Sequence, residues 1–247
     1  MGRITDTVKH LLIINVLFFV ATYFYGDMMY QWFSLWFPEN ENFGYWQFLT
    51  YMFMHGGFMH ILFNMYGLYA FGSPLEQMWG RNKFLFFYIS TGLGAALIHT
   101  LVNYYQFNAV LNDLVAGGYN RLKIIETLKT GQYNTGWYQV IPRVEVDEFV
   151  SYFMTPAVGA SGAIYGILVA FGMMFPNAEL MLIFLPIPIK AKYFIPGLIL
   201  MDLFSGLTGQ SIFGQNIAHF AHIGGALIGF IMMWYWKKNS FNSNRWD

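Results

Sequence analysis

Six long apolar runs, separated by more polar segments, are the feature that most constrains how this 247-residue chain can fold. A soluble domain carries about 25% charged residues, whereas the charged fraction here is 11% and the hydrophobic fraction is 56%. Such a chain cannot cover itself with polar surface. The pattern therefore predicts an all-α integral membrane protein, built as a single domain. We expect a six-helix transmembrane bundle with spans at about 10–25, 57–72, 84–105, 160–175, 193–207 and 217–236.

The segments between the runs are predicted from their composition. Residues 26–56 are rich in aromatic side chains and poor in charge, which is typical of a loop lying in the membrane interface. Residues 73–83 break the second run and supply charged side chains, so we expect a loop there as well. Pro186 and Pro188 argue against a helix over residues 180–189, which we predict as an extended turn.

A long insert at about 106–154 separates the third run from the fourth. We expect it to lie on or above the membrane surface, because it contains nine charged residues: Asp113, Arg121, Lys123, Glu126, Lys129, Arg143, Glu145, Asp147 and Glu148. Apolar residues within the insert have the spacing of a short amphipathic helix: Leu122, Ile124, Ile125 and Leu128. Gly131 is expected to end this helix.

The positions of lysine and arginine predict the orientation of the spans. Basic residues lie near the membrane at both termini, in 73–83 and in 176–192, whereas the loops 26–56 and 208–216 have none. By the positive-inside rule, both termini are cytoplasmic and the insert lies outside. We expect a multi-pass protein of the bacterial inner (cell) membrane. A formal net charge of zero gives no indication of a nucleic-acid partner.

A serine among small residues begins the fourth run, in an eight-residue stretch that starts at Gly159. Small residues let helices approach closely in a membrane, so the stretch can be a packing device. However, the predicted topology places four polar residues at a similar depth near the outer membrane face, on three helices: Ser161, His222, His60 and Asn64. Because serine becomes a nucleophile when a histidine takes its proton, Ser161 and His222 are the candidate nucleophile and base.

Two further polar residues have the spacing of an oxyanion site. His60 and Asn64 are four residues apart, so they share one helix face, and both can donate hydrogen bonds. The backbone N–H of Ser161, at the start of a helix, would be a third donor. Tyr165 lies one helical turn after Ser161 on the same face. We expect its ring to stack against His222 and fix the orientation of the imidazole.

Structural roles compete with these functions. His60 and Asn64 could each be packing residues that bond to a neighbouring helix. Three glycines are expected to bring the sixth span against the fourth: Gly224, Gly225 and Gly229. His55 and His99 are interpreted as non-catalytic, and His219 as an interfacial or gate residue. Asp202 has no assigned role, although an ionisable residue within a span is a functional candidate by default.

A metal site is the competing chemical interpretation. Its candidate ligands would be His55, His60, His219 and His222. The sequence lacks an H-E-x-x-H motif and a carboxylate-rich histidine cluster, so this interpretation is the weaker one. We expect no cofactor.

Three segments, taken in order, resemble a known family. They are His55-Gly-Gly-Phe-Met-His-Ile-Leu-Phe-Asn64, Gly159-Ala-Ser-Gly162 and Ala221-His-Ile-Gly-Gly225. The sequence resembles the rhomboid family of intramembrane serine proteases over about 50–236, apart from the insert. The chain departs from the family's pattern at two places. It contains the long insert, and a glutamine follows Trp46 where some members carry arginine.

The resemblance implies a rhomboid-like fold and a role for each matching residue. Ser161 would be the nucleophile and His222 the general base, in a dyad without an aspartate. His60 and Asn64 would lie on the oxyanion side, Gly159 in the loop before the serine, and Tyr165 under the histidine. The implied activity is hydrolysis of peptide bonds in transmembrane substrates near the outer membrane face. The fifth span and the loop 208–216 would form the substrate gate.

Two other classes of function are considered. One is a rhomboid-fold protein without catalysis that binds or escorts membrane proteins, although inactive relatives lose the serine or the histidine and both are present here. The other is a transporter or channel, for which charged intramembrane residues and an inverted repeat would be expected, and neither is evident. Partners under the favoured interpretation are the lipid bilayer and single-span or other transmembrane substrates.

Overall fold

The computed structural model of the protein describes residues 3–182, 185–209 and 218–239. This part of the chain is mostly helical and contains one small hairpin. In chain order the α-helices are α1 Asp6–Tyr25, α2 Asp27–Phe33, α3 Gln47–Thr50, α4 Phe58–Gly67, α5 Ser73–Trp79, α6 Arg81–Ala116, α7 Arg121–Lys129, α8 Arg143–Met154, α9 Ser161–Met174, α10 Ala191–Thr208 and α11 His219–Asn239.

The second apolar run continues as a helix beyond its predicted end. A π-helical stretch, Leu68–Gly72, joins α4 to α5 without a break. The wider turn ends two residues before Pro74, whose ring nitrogen cannot donate a helical hydrogen bond. The prediction of a loop over 73–83 is therefore wrong, because only Gly80, with φ of 77°, interrupts the helices there. Of the charged residues in this segment, Arg81 is exposed at the start of α6, whereas Glu76 of α5 is buried.

The third run is also longer than predicted, because α6 continues to Ala116 and does not end near residue 105. Phe107, Leu111 and Leu114 are fully buried, and their spacing places them on one helix face. This face packs against the rest of the insert. The predicted start of the insert, at about 106, therefore falls within a continuous helix.

The remainder of the insert folds around a core of its own. It contains α7, a 3₁₀ helix Thr135–Gln139 and α8. The amphipathic helix predicted around Ile124 and Leu128 is confirmed as α7, in which both side chains are buried, and Gly131 adopts a φ of 72° just after it. The apolar core also includes Phe37 of the first loop: Phe37, Phe107, Leu111, Leu114, Ile124, Leu128, Trp137, Ile141, Val146, Phe149 and Phe153.

The predictions for two connecting segments agree with the structure. The first, 26–56, contains only short helices, namely α2, α3 and a 3₁₀ helix Tyr51–Phe53. The second, around the two prolines, forms an antiparallel hairpin from β1 (Glu179–Leu182) and β2 (Leu185–Lys190). Glu179 pairs with Lys190, and Leu180 pairs with Ile189. Proline is tolerated on such a strand because each strand has a free edge.

Three helices form the centre of the molecule. Helix α11 packs against both α9 and α6, α6 packs against α9, and α10 lies against α11 and α9. Where α6 meets α9, a Cβ on Gly162 would lie 2.5 Å from Ala95, and one on Gly166 would lie 2.6 Å from Thr91. These glycines let the helix axes approach closely, which positions the first turns of α9 and α11 side by side.

Two helices in the described part of the chain are long and apolar enough to cross a membrane, Asp6–Tyr25 and Arg81–Ala116. Ser161–Met174 is also apolar but shorter. A straight span needs about 20 residues, and shorter helices are accommodated where neighbouring protein shields their ends. The six-span arrangement predicted from the sequence stays a proposal and is taken up below.

Candidate active site

Backbone hydrogen bonds at Ala157 and Gly159 hold the loop before Ser161 in place. The backbone of Ala157 forms a two-way antiparallel bridge with Leu35, with both N to O distances 2.9 Å. Two residues later, the N–H of Gly159 donates to the carbonyl oxygen of Tyr51 over 2.9 Å. Gly159 has a φ of 125°, a conformation that side-chain-bearing residues rarely adopt. Ser161 then begins α9, where the first N–H groups have no partner within the helix.

Close glycine packing brings α11 against this helix. A Cβ on Gly225 would lie 1.8 Å from the carbonyl oxygen of Gly162, and one on Gly229 would lie 2.7 Å from the Cα of Gly166. Any larger residue at these two positions would force the helices apart. The prediction that glycines pack the sixth apolar run against the fourth is therefore confirmed for Gly225 and Gly229. It is wrong for Gly224, which faces α6, where a Cβ would lie 2.9 Å from the Cβ of Ile98.

This packing places Ser161 and His222 in direct contact. Their side chains, the Oγ of Ser161 and the Nε2 of His222, are 2.8 Å apart, an ordinary hydrogen-bond distance. The ring of Tyr165 stacks on the imidazole of His222, with ring centroids 4.3 Å apart and an interplanar angle of 11°. The structure thus brings together the predicted nucleophile, the predicted base and the tyrosine expected beneath it.

Asp202 of α10 is a partner of this site that sequence reasoning missed. Its Oδ1 lies 3.2 Å from the Nδ1 of His222 and 2.5 Å from the Nδ1 of His219. Its Oδ2 accepts a short hydrogen bond from the hydroxyl of Tyr165. The resemblance implied a dyad without an aspartate, and in this structure a carboxylate does contact the histidine. The only signal in the sequence was that Asp202 is an ionisable residue in an apolar run.

His60 lies beside the loop that leads to the serine. A Cβ on Gly159 would lie 2.7 Å from the Nε2 of His60 and 3.6 Å from the Oγ of Ser161. Because Gly159 has no side chain, there is space for the imidazole of His60 to approach Ser161. The other ring nitrogen of His60, Nδ1, accepts a hydrogen bond from the N–H of Gly56 over 3.3 Å, which directs Nε2 toward the site.

Asn64 is buried one turn further along α4. Its Nδ2 donates to the carbonyl oxygen of His60 over 2.8 Å, so one amide hydrogen is used along its own helix. An asparagine amide has a second hydrogen to donate. The structure thus places His60 at the site and Asn64 in the adjoining turn, and their oxyanion role stays a proposal.

The remaining histidines take different positions. His55 is buried, and its ring lies 5.0 Å from that of His60. His99 of α6 contacts the Nδ2 of Asn103 through its Nε2 at 3.0 Å. The interpretation of both as non-catalytic stays a prediction.

One group of histidine and carboxylate side chains in the structure could hold a metal ion, and it differs from the predicted set of ligands. Among the described residues, Asp202, His219 and His222 present potential ligand atoms within 4.8 Å of one another, so only two of the four histidines considered belong to it. Ligands that surround zinc tetrahedrally at 2.0–2.2 Å are roughly 3.3 Å apart. The separation of 2.5 Å between the Nδ1 of His219 and the Oδ1 of Asp202 is shorter than that and is the distance of a short hydrogen bond.

The first loop is anchored by a residue that the sequence did not single out. Gln47, which follows Trp46, has no exposed surface. Its Nε2 donates to the carbonyl oxygens of Gln31 and Asn42, over 3.0 and 2.7 Å, and its Oε1 accepts from the N–H of Trp36 over 3.2 Å. A neutral amide thus binds the loop backbone at the position where some rhomboids carry arginine.

The predicted gate falls partly outside the described residues. Helix α10 is described, but 210–216 of the loop 208–216 are not. At the junction, a Cβ on Gly209 would lie 2.9 Å from the Oε1 of Glu148. The insert helix α8 therefore lies next to the C-terminal end of α10.

These features define a class of protein: a mostly helical membrane protein with a serine and a histidine hydrogen-bonded at the ends of two closely packed helices. A family model described as the Rhomboid domain matches residues 42–119 and 128–239. Since this match covers most of the sequence, the chain belongs to the rhomboid family of membrane proteins.

Several characterised proteins are similar in sequence. Rhomboid protein 1, mitochondrial, of Saccharomyces cerevisiae is 25% identical over 75% of this chain and 40% of its own length. The human presenilin-associated rhomboid-like protein, mitochondrial, is 28% identical over 74% of this chain and 35% of its own length. Rhomboid-like protein 11, chloroplastic, of Arabidopsis thaliana is 26% identical over 80% of this chain and 55% of its own length.

The chain spans between about a third and about half of the length of these curated relatives. The relatives are mitochondrial or chloroplast proteins by name, so the expected bacterial inner-membrane location receives no support from them.

Proposed function

We propose that this protein is an intramembrane serine endopeptidase that hydrolyses peptide bonds of transmembrane substrates near the outer membrane face. In this proposal the six apolar runs are six spans, both termini are cytoplasmic and the reaction needs no cofactor. The single observation that supports it best is the 2.8 Å contact between the Oγ of Ser161 and the Nε2 of His222.

The chemistry follows from that contact. The Oγ of Ser161 bonds to the carbonyl carbon of the scissile peptide while its proton moves to the Nε2 of His222. The C–N bond then breaks, the leaving amine takes the proton, and an acyl ester remains on Ser161. Water attacks the ester with His222 again as the base, which releases the carboxylic acid and restores the serine hydroxyl.

The developing negative charge on the carbonyl oxygen needs donors that are already in place. The N–H of Ser161 is available for this at the start of α9. His60 approaches the serine through the space left by Gly159, and Asn64 has an amide hydrogen beyond the one bonded to His60. We assign these three groups to the oxyanion side of the site.

The partners of this activity are transmembrane proteins and the lipid bilayer. Water must reach Ser161 while lipid does not, so the site is proposed to open toward the outer face. Helix α10 and the loop that follows it are proposed as the gate through which a substrate helix reaches the site. Helix α10 adjoins α11, which carries His222.

The experiment is a cleavage assay on a model single-span substrate in proteoliposomes, with and without a chelator. Wild-type protein is expected to cleave in both conditions, whereas Ser161→Ala is expected to be folded and inactive. His222→Ala should be equally inactive, and the double variant no worse, because a nucleophile and its base act as a unit.

The alternative functions predict different outcomes. Binding of the substrate without cleavage by folded wild-type protein would support a catalytically silent escort factor. Loss of cleavage on chelation, restored by one metal, would support the histidine-cluster interpretation.

A further inference from the structure

Asp202 is the buried ionisable group that the proposed reaction does not use. It lies on α10, and its side chain is only 7% exposed. The carboxylate has three partners on two other helices: the hydroxyl of Tyr165 on α9 and the Nδ1 atoms of His219 and His222 on α11. An ionised carboxylate in such a place is costly unless its oxygens accept hydrogen bonds, and here both oxygens have donors.

The packing of α10 against α11 explains how the carboxylate reaches both histidines. Gly206, one turn after Asp202, lies so close to α11 that a Cβ there would be 3.2 Å from the ring of Phe220 and 3.3 Å from the Cβ of His219. This approach brings the carboxylate within hydrogen-bond distance of the first turn of α11. Ser205 is also buried on this helix.

The contacts determine which nitrogen of His222 carries the proton. An ionised carboxylate can only accept hydrogen bonds, so each partner must donate. His222 must then hold its proton on Nδ1, which leaves the lone pair of Nε2 directed at the hydroxyl of Ser161. A neutral imidazole with its proton on Nε2 would present a donor to the serine and could not act as its base.

We propose that Asp202 is a positioning residue that fixes His222 in the Nδ1–H tautomer and orients Nε2 toward Ser161. This inference rests on the proposed protease function, which supplies the reaction that the tautomer serves. Tyr165 contributes to the same arrangement twice, since its ring stacks on the imidazole and its hydroxyl binds the carboxylate. The plane of the imidazole and its rotation are thereby set by separate contacts.

The kinetic test replaces the carboxylate with an amide of the same shape. Asp202→Asn presents either an oxygen or an NH₂ group to the histidine, so the useful tautomer is no longer enforced. We expect kcat to fall by about 10²-fold or more, with KM little changed, because the buried carboxylate acts through His222. Asp202→Glu, which restores a carboxylate, is expected to recover part of the loss.

A matched control separates positioning from packing. Ser205→Ala changes another buried polar residue of α10, 3% exposed, and is expected to leave kcat near the wild-type value. Thermal unfolding in detergent should be measured for all three variants. If Asp202→Asn kept wild-type kcat, or if Ser205→Ala lost as much activity as Asp202→Asn, the positioning role would be wrong.

A second measurement does not depend on catalysis. Nitrogen-15 NMR of histidine-labelled wild-type protein reports the tautomer of each imidazole, and His222→Ala identifies the signal. We expect His222 to be protonated on Nδ1 and to lose this preference in Asp202→Asn. A His222 protonated on Nε2 in the wild-type protein would overturn the inference. If the tautomer were as expected but no substrate were cleaved, the proposed function would fail while the positioning contact stood.

Discussion

At the scale of single residues, the site depends on Gly159 having no side chain. The Nε2 of His60 and the Oγ of Ser161 both lie close to the point where a Cβ of residue 159 would be. A side chain there would clash with the imidazole, and the φ of 125° would also be strained. The glycine therefore allows the imidazole of His60 on α4 to approach Ser161 on α9.

Substitutions at the oxyanion side should separate chemistry from packing. If His60 and Asn64 stabilise the developing charge, removing either should lower kcat by about 10²–10³-fold. The loss will be smaller if the remaining donors compensate. KM should change little, because the interaction strengthens only in the transition state. The measurement is kcat and KM per folded molecule for His60→Ala and Asn64→Ala.

Thermal stability provides the contrasting outcome for the same variants. Asn64 donates to the carbonyl oxygen of His60, so a packing role predicts a lower melting temperature with turnover intact. Destabilised but fully active variants would reduce the site to Ser161, His222 and the backbone donor.

The residues of the site were predictable from sequence to different degrees. Ser161 and His222 could be paired because each lies in a small-residue segment of an apolar run, and the glycines indicated which helices pack closely. Asp202 could not be placed, because its partners come from two other helices and no local spacing relates them. Gln47 was missed because a lone glutamine in an aromatic loop gives no signal of burial.

At the scale of elements, Gln47 is expected to hold the first loop in place. It is fully buried and bonds to backbone groups at three points of the loop before α3. Removing it takes a hydrogen bond from each of three backbone groups in a part-buried setting, at about 1 kcal/mol for each. We expect Gln47→Ala to lower the free energy of unfolding by roughly 2 kcal/mol or more. Gln77→Ala, which removes an exposed glutamine with one bond to the backbone of Arg3, is the control. Equal stability of the two variants would contradict this role.

The start of α1 is capped by a carboxylate from another helix. The oxygens of Glu76, on α5, accept hydrogen bonds from the N–H groups of Thr7 and Val8, each over 2.9 Å, and from the hydroxyl of Thr5. Burial raises the pKa of Glu76, but these hydrogen bonds outweigh it and hold the pKa below its usual value. The negative charge also lies at the positive end of the helix dipole.

This cap predicts a pH-dependent contribution to stability. Because the pKa of Glu76 is lower in the folded protein, its stabilisation is present above the unfolded pKa, near 4.3, and is lost as the pH falls through the folded value. Glu76→Gln should therefore cost about 1 kcal/mol at pH 7, with the difference from wild type shrinking below about pH 4. Thermal unfolding in detergent across this range is the measurement. The exposed Glu126→Gln is the control, and a difference that grows toward low pH would contradict the assignment.

The element boundaries that sequence failed to predict have a common cause. In 73–83 and 106–116, charged or polar residues end an apolar run but do not end the helix. A helix at a membrane surface needs only one buried face, as Phe107, Leu111 and Leu114 show. The hydropathy change therefore indicates where the environment changes, and the backbone break occurs where Gly80 or Gly117 follows the last helical residue.

At the scale of the whole molecule, the described chain has two hydrophobic cores joined by α6. One includes the packed apolar runs, and the other consists of the insert, the end of α6 and Phe37. The insert was predicted as a surface element with one short helix. Its separate core was not predicted, because most of its buried residues are far apart in sequence. Its contact with the end of α10 places it beside the proposed gate.

His222 is proposed to activate Ser161 as a nucleophile, and covalent labelling measures this activation directly. With a fluorophosphonate, the Oγ of Ser161 forms a bond to phosphorus, the P–F bond breaks, and the proton and fluoride leave. Mass spectrometry of the folded wild-type protein in detergent should find one adduct, on the peptide containing Ser161, and no adduct in folded His222→Ala. Absence of labelling in the wild type, or equal labelling in His222→Ala, would contradict the claim.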